Sequence, residues 1–71
     1  MENGKDISNE TSRSYFHYDG HTTDIIEPKT LWVSENGHRI ETKYGVGYYI
    51  FLKDVRVIEW VVRDKARVVE V

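Results

Sequence analysis

Apolar residues in this chain come in short runs broken by polar pairs, the signature of many short strands rather than of long helices. The segment nearest to a helix is 55–71 (VRVIEWVVRDKARVVEV), where positions 55, 58, 61, 62 and 65 share a helical stripe that Lys65 spoils. Eight of its seventeen residues are Val or Ile, which are stiff at χ1 and favour strands. The pattern therefore predicts two strands around a polar turn near Asp64-Lys65. A two-residue turn would pair Trp60 with Val69 and Ile58 with Val71, placing Ile58, Trp60, Val62, Val69 and Val71 on one face. It would also oppose Glu59 to Glu70, a destabilising like-charge pair. A three-residue turn would instead oppose Arg63 to Arg67.

The strongest local signal lies in residues 31–42 (LWVSENGHRIET). Asn36-Gly37 between two strand-like runs predicts a hairpin with a tight type I′ turn, since both residues tolerate positive φ. That turn opposes Val33 to Ile40, Trp32 to Glu41 and Leu31 to Thr42. Alternation then places Leu31, Val33, Ile40 and Thr42 on one face and Trp32, Ser34, Arg39 and Glu41 on the other. Upstream, residues 14–18 (SYFHY) predict a first strand, ended by a turn at Asp19-Gly20. Residues 22–26 predict a short extended piece stopped by Pro28, whose missing N–H bars it from a central strand. Downstream, residues 44–47 (YGVG) predict a connection or bulge, and 48–52 (YYIFL) a strand covered on both faces.

Five or six short strands with no long helix point to an all-β protein, stable alone only if the sheet curls onto itself. The expectation is a small SH3-like or Sm-like barrel. Residues 48–59 (YYIFLKDVRVIE), an apolar strand, a polar break and a second strand, resemble the strand pattern of many such barrels. Seventy-one residues allow one domain, near the lower size limit for a fold without staples. Residues 1–13, with Met1 and Ile7 as their only aliphatic residues, read as a disordered tail preceding a domain at 14–71. Of the apolar residues, 7 lie in the first 29 positions and 21 in the last 42, so the core is expected mainly from the C-terminal part.

The chain has no cysteine, which excludes disulfides and thiolate metal sites. No apolar run approaches the length of a membrane span, and the N-terminus lacks the apolar centre of a signal peptide; a cytoplasmic protein is expected. The net charge of −2 lacks the basic bias of a duplex-binding domain. Residues 1–30 carry three basic and six acidic side chains, residues 31–71 seven and six.

Three groups of side chains carry candidate chemistry. Trp32 on a charged face with Arg39 and Glu41, extended by Tyr44, resembles an interface hot spot, where Trp, Tyr and Arg dominate the energetics. The competing reading is that a neighbouring strand or the N-terminal segment covers Trp32. Arg63, Lys65 and Arg67 form a basic cluster that could meet phosphates, although Asp54, Glu59, Asp64 and Glu70 interleave with it. His17, Asp19 and His21 form an H-x-D-x-H pattern with the donor types of zinc or iron sites, interrupted by Gly20. The serines lack the strand-turn-helix setting of a catalytic nucleophile, and no glycine loop cradles phosphate ahead of a helix. The sequence thus predicts a non-enzymatic module, without cofactor, that binds another protein and pairs as a dimer through its aromatic strands. Small cysteine-free chains of this composition are common among bacterial and phage regulators and inhibitors. Nucleic-acid binding is the runner-up and metal binding the third alternative.

Overall fold

A computed structural model describes residues 4–63 and 67–70. Eight strands follow in chain order: β1 (Lys5–Asp6), β2 (Glu10–His17), β3 (Thr22–Ile26), β4 (Pro28–Val33), β5 (Gly37–Thr42), β6 (Gly47–Phe51), β7 (Val55–Val62) and β8 (Arg67–Glu70). A single turn of 3₁₀ helix, Leu52–Asp54, links β6 to β7. The strands form two four-stranded antiparallel sheets, ordered β1-β4-β5-β6 and β3-β2-β7-β8. Each sheet keeps two edge strands, so the expected closed barrel of five or six strands is not formed. Among the described residues no helix is long and apolar enough to cross a membrane.

The chain passes between the sheets at three corners: residues 7–9, Glu27 and the 3₁₀ turn. Strands that switch sheets through bends are how two packed sheets share one core. Glu27 makes its corner with a φ of 51°, the only non-glycine residue with positive φ among those described. Its N–H donates to Thr11 O at 2.9 Å and its carbonyl accepts from Lys43 N at 3.0 Å, so both backbone groups are satisfied at the bend. Pro28 follows at the first position of β4, where a missing N–H removes no ladder bond, and it is fully buried.

The core between the sheets is Ile7, Tyr15, Ile25, Leu31, Ile40, Ile50 and Ile58, with Tyr48, Leu52, Val55 and Trp60 packed against it. Three of those seven precede residue 30, more than the density of apolar residues suggested. Within the segment expected to be a disordered tail, residues 4–13 are described in the fold, and Ile7 lies in this core. Lys5 and Asp6 pair with Leu31 and Thr30, Ile7 donates its N–H to Lys29 O, and β2 lies between β3 and β7. Its polarity is misleading because two of its charges neutralise each other. Arg13 donates Nε and Nη2 to the two oxygens of Glu10, both at 2.8 Å, and the two side chains are only 5% exposed.

The β4–β5 hairpin closes one residue earlier than its Asn-Gly pair implied. Val33 faces His38, Trp32 faces Arg39 and Leu31 faces Ile40. Ser34 N donates to Gly37 O at 2.9 Å, and the Ser34 hydroxyl accepts from Gly37 N at 3.2 Å, leaving Glu35 and Asn36 in the loop. Gly37 is needed for packing instead of for the turn, because a Cβ there would collide with the Ile50 carbonyl and the Tyr49 ring. The shift moves each pairing by two residues, so the faces expected from alternation survive it.

In the last hairpin Trp60 faces Val68 and Glu59 faces Val69, a register that neither expected turn gives and that avoids both like-charge pairs. Val69 therefore lies opposite Glu59, not with Ile58 and Trp60, and is exposed. The turn near Asp64-Lys65 lies outside the described residues. Strand β6 also departs from expectation. Only Tyr48 and Ile50 turn inward, and as an edge strand it leaves Tyr49 and Phe51 uncovered.

Candidate functional site

Cross-strand register builds one row of side chains on the outer face of the first sheet. Trp32 of β4 lies opposite Arg39 of β5, and Arg39 lies opposite Tyr49 of β6. The Arg39 guanidinium stacks over the Trp32 indole at 4.6 Å, a cation–π distance. Tyr49 meets Phe51 edge to face with centroids 5.0 Å apart. Tyr49 is 48% and Phe51 55% exposed. Gly37 sits beneath the Tyr49 ring and lets it lie close to the sheet.

Of the residues expected at this face, Trp32 and Arg39 are brought into contact. Glu41 shares their face, opposite Thr30 and Gly47, and is half-buried. Tyr44 stands in the turn after β5 and is 73% exposed. That turn is closed by Thr42, whose hydroxyl accepts from Tyr44 N and Val46 N while Gly45 supplies a φ of 81°. The N-terminal segment does reach Trp32: a Cβ on Gly4 would strike the indole and Thr30, so backbone lies against one side of the ring. The indole is half-buried as a result, between the two readings its sequence allowed.

Tyr49 and Phe51 extend the row and were not among the expected site residues. Strand parity already put them on one face. Their exposure depends on β6 being an edge, which follows from sheet order and not from local sequence.

The histidine pattern does not assemble a metal centre. His21 Nδ1 and N–H both engage Asp19 Oδ1, at 2.8 and 2.9 Å, and His17 Nε2 is bonded to the Thr23 hydroxyl at 2.9 Å. The two imidazoles lie parallel with centroids 3.9 Å apart, stacked instead of converging on a common point. Among the described residues no group of three His, Cys, Asp or Glu side chains is placed to hold a metal ion. The bonds from His21 hold the Asp19 carboxyl below the usual aspartate range. The physical reason is the turn at Gly20, whose φ of 97° folds residue 21 back beside residue 17.

Of the basic cluster, Arg63 is the residue whose side chain falls within the described residues. Arg63 Nη2 donates to Glu27 Oε1 at 2.8 Å, and Lys43 Nζ donates to the same oxygen at 2.9 Å. The Lys43 hydrogen bond, then that of Arg63, holds the Glu27 carboxyl below the usual glutamate range. Lys65 lies outside the described residues, and Arg67 pairs with Val61 through its backbone.

Beneath the outer face lies a polar chain that sequence reasoning missed. From the Glu10–Arg13 pair it continues through Arg13 Nη1 donating to the Tyr15 hydroxyl at 3.2 Å, and from that hydroxyl to His38 Nδ1 at 2.7 Å. It crosses from β2 of one sheet to β5 of the other. Arg13 also stacks over Trp60 at 4.5 Å. Burial works against the Arg13 charge, but the hydrogen bonds it donates to Glu10 and Tyr15 raise its pKa above the ordinary arginine value. A spacing of three between Glu10 and Arg13 signals such a pair on a helix, not a strand. The bulge between Glu10 and Ser12 makes the pairing possible here.

Two shallow hollows flank β6. One, of about 410 Å³, runs between Tyr49, Ile50 and Phe51 and the His17–Thr23 turn; the other, of about 370 Å³, runs from Phe51 to Glu35 and Asn36. No protein-family model matches the chain, and no curated protein or solved structure matches it either.

Proposed function

We propose that this protein is a small, non-enzymatic interaction module that binds another protein through the outer face of the sheet β1-β4-β5-β6. The observation that carries this reading is the row Trp32–Arg39–Tyr49 with Phe51 beside it, aromatic and cationic, with Arg39, Tyr49 and Phe51 exposed on the sheet. Tyr, Trp and Arg are the residues that dominate binding energy at protein interfaces, because each joins a large apolar surface to a polar handle. Among the described residues Arg39 is held by the indole and by no carboxylate, so a partner carboxylate could engage it without breaking an ion pair there.

The test is capture from native lysate followed by titration with the purified partner. Wild type should retain a protein partner that Trp32→Ala and Arg39→Ala both lose, with unfolding midpoints close to wild type. A partner that binds both variants as tightly as wild type would overturn the reading. So would retention only of nucleic acid that elutes steeply with salt.

A further inference from the structure

We infer that β6 is a self-pairing edge, and that a second copy of this chain docks on it antiparallel to form one continuous eight-stranded sheet. The backbone assigns which groups are free. Leu52 N donates to Asn36 O at 3.0 Å and Thr42 N to Val46 O at 2.9 Å, so even-numbered residues exchange the bonds between β5 and β6. Alternation then turns the N–H and C=O groups of Gly47, Tyr49 and Phe51 away from β5, along the open edge.

Natural edges are blunted by charge, proline or shortness. Among the described edges β1 is two residues long and carries Lys5 and Asp6, β3 carries Asp24, and β8 carries Arg67 and Glu70. Strand β6, reading GYYIF, carries none of these devices. The hollow between it and the His17–Thr23 turn leaves room beside the edge.

The occupant is identified by self-complementarity. A two-fold axis through Tyr49 opposes Tyr49 to its own copy, and Gly47 to Phe51 in both directions. That register uses all three outward-facing positions and gives an isologous contact. A Cβ on Gly47 would meet no atom within 4 Å, so the space above this glycine is empty, and Phe51 is the exposed ring that would fill it from the second copy. A ring laid across an opposing glycine is a known way to stabilise a strand pair. Pairing would also join the two Trp32–Arg39–Tyr49 rows into one, although dimerisation does not depend on the partner-binding role of that face.

Sedimentation of the full chain over a range of concentrations tests this, together with amide hydrogen exchange. A mass twice that of the single chain is expected, with the Tyr49 and Phe51 amides exchanging more slowly as concentration rises while Tyr48 and Ile50 stay constant. Phe51→Lys and Gly47→Val should both sediment as single chains, and Gly47→Val should still unfold cooperatively, with a midpoint lowered only by the lost association, because the added side chain enters open space within the chain. Wild type that stays a single chain throughout, with Tyr49 and Phe51 amides exchanging freely at every concentration, would overturn the inference. A dimer that survives both substitutions would overturn it equally. Trp32→Ala, which leaves β6 untouched, should remain dimeric while losing the partner, so this inference and the proposed function fail separately.

Discussion

Two arginines in this protein stack on tryptophan at nearly the same distance, Arg13 on Trp60 at 4.5 Å and Arg39 on Trp32 at 4.6 Å, in opposite surroundings. Arg13 is buried between the sheets, with Glu10 taking two of its N–H groups and Tyr15 a third. Arg39 is exposed on the outer face beside Tyr49 and makes no ion pair among the described residues. The contact is shared, yet what each pair contributes is set by what surrounds it. A buried cation without its carboxylate is an uncompensated charge, whereas an exposed one returns to water. The inner pair therefore belongs to the fold, and the outer pair is the one the proposed partner would meet.

The sharpest way to break this contrast is Arg13→Ala. It leaves Glu10 charged and buried, and should cost about 3–5 kcal/mol, enough to unfold a domain of this size in an equilibrium denaturation experiment. Glu10→Ala combined with Arg13→Ala should cost clearly less than the sum of the single losses, since the double variant strands no charge. Tyr15→Phe removes the hydroxyl that links Arg13 to His38 and should cost about 1–3 kcal/mol by the same measurement. Arg39→Ala, by contrast, should change stability by less than about 1 kcal/mol while weakening partner binding.

The smallest effect concerns Glu27. Its folded-state pKa is lowered by Lys43 and Arg63, so its contribution is complete above the unfolded value of 4.5 and is lost as pH falls through the folded value. Glu27→Gln should flatten that acidic limb by lowering the neutral plateau slightly while leaving stability at pH 3 nearly unchanged, as unfolding midpoints measured from pH 3 to pH 7 would show.

The same contrast explains what could be read from the chain. Strand Thr22–Ile26 follows from the Asp19-Gly20 turn before it and Pro28 after it, and the two faces of the β4–β5 hairpin follow from alternation, because both signals are local and a one-residue shift of the turn preserves parity. The hairpin register was hidden because Gly37, which looks like a turn residue, is held by contacts with Ile50 and Tyr49 from another strand. The N-terminal strands were hidden because Glu10 and Arg13 read as solvent-facing until each is seen to satisfy the other. At the site, Trp32 and Arg39 were legible as face-sharing residues. The addition of Tyr49 and Phe51 required knowing that β6 ends the sheet.

Exchange of the arginine side-chain N–H protons in the wild-type protein tests the division between the two pairs most directly. The account predicts an Arg13 Nε–H that exchanges slowly, held by Glu10 and shielded from water, and an Arg39 Nε–H that exchanges on the timescale of a free side chain. Equal exchange at the two sites, fast or slow, would contradict it.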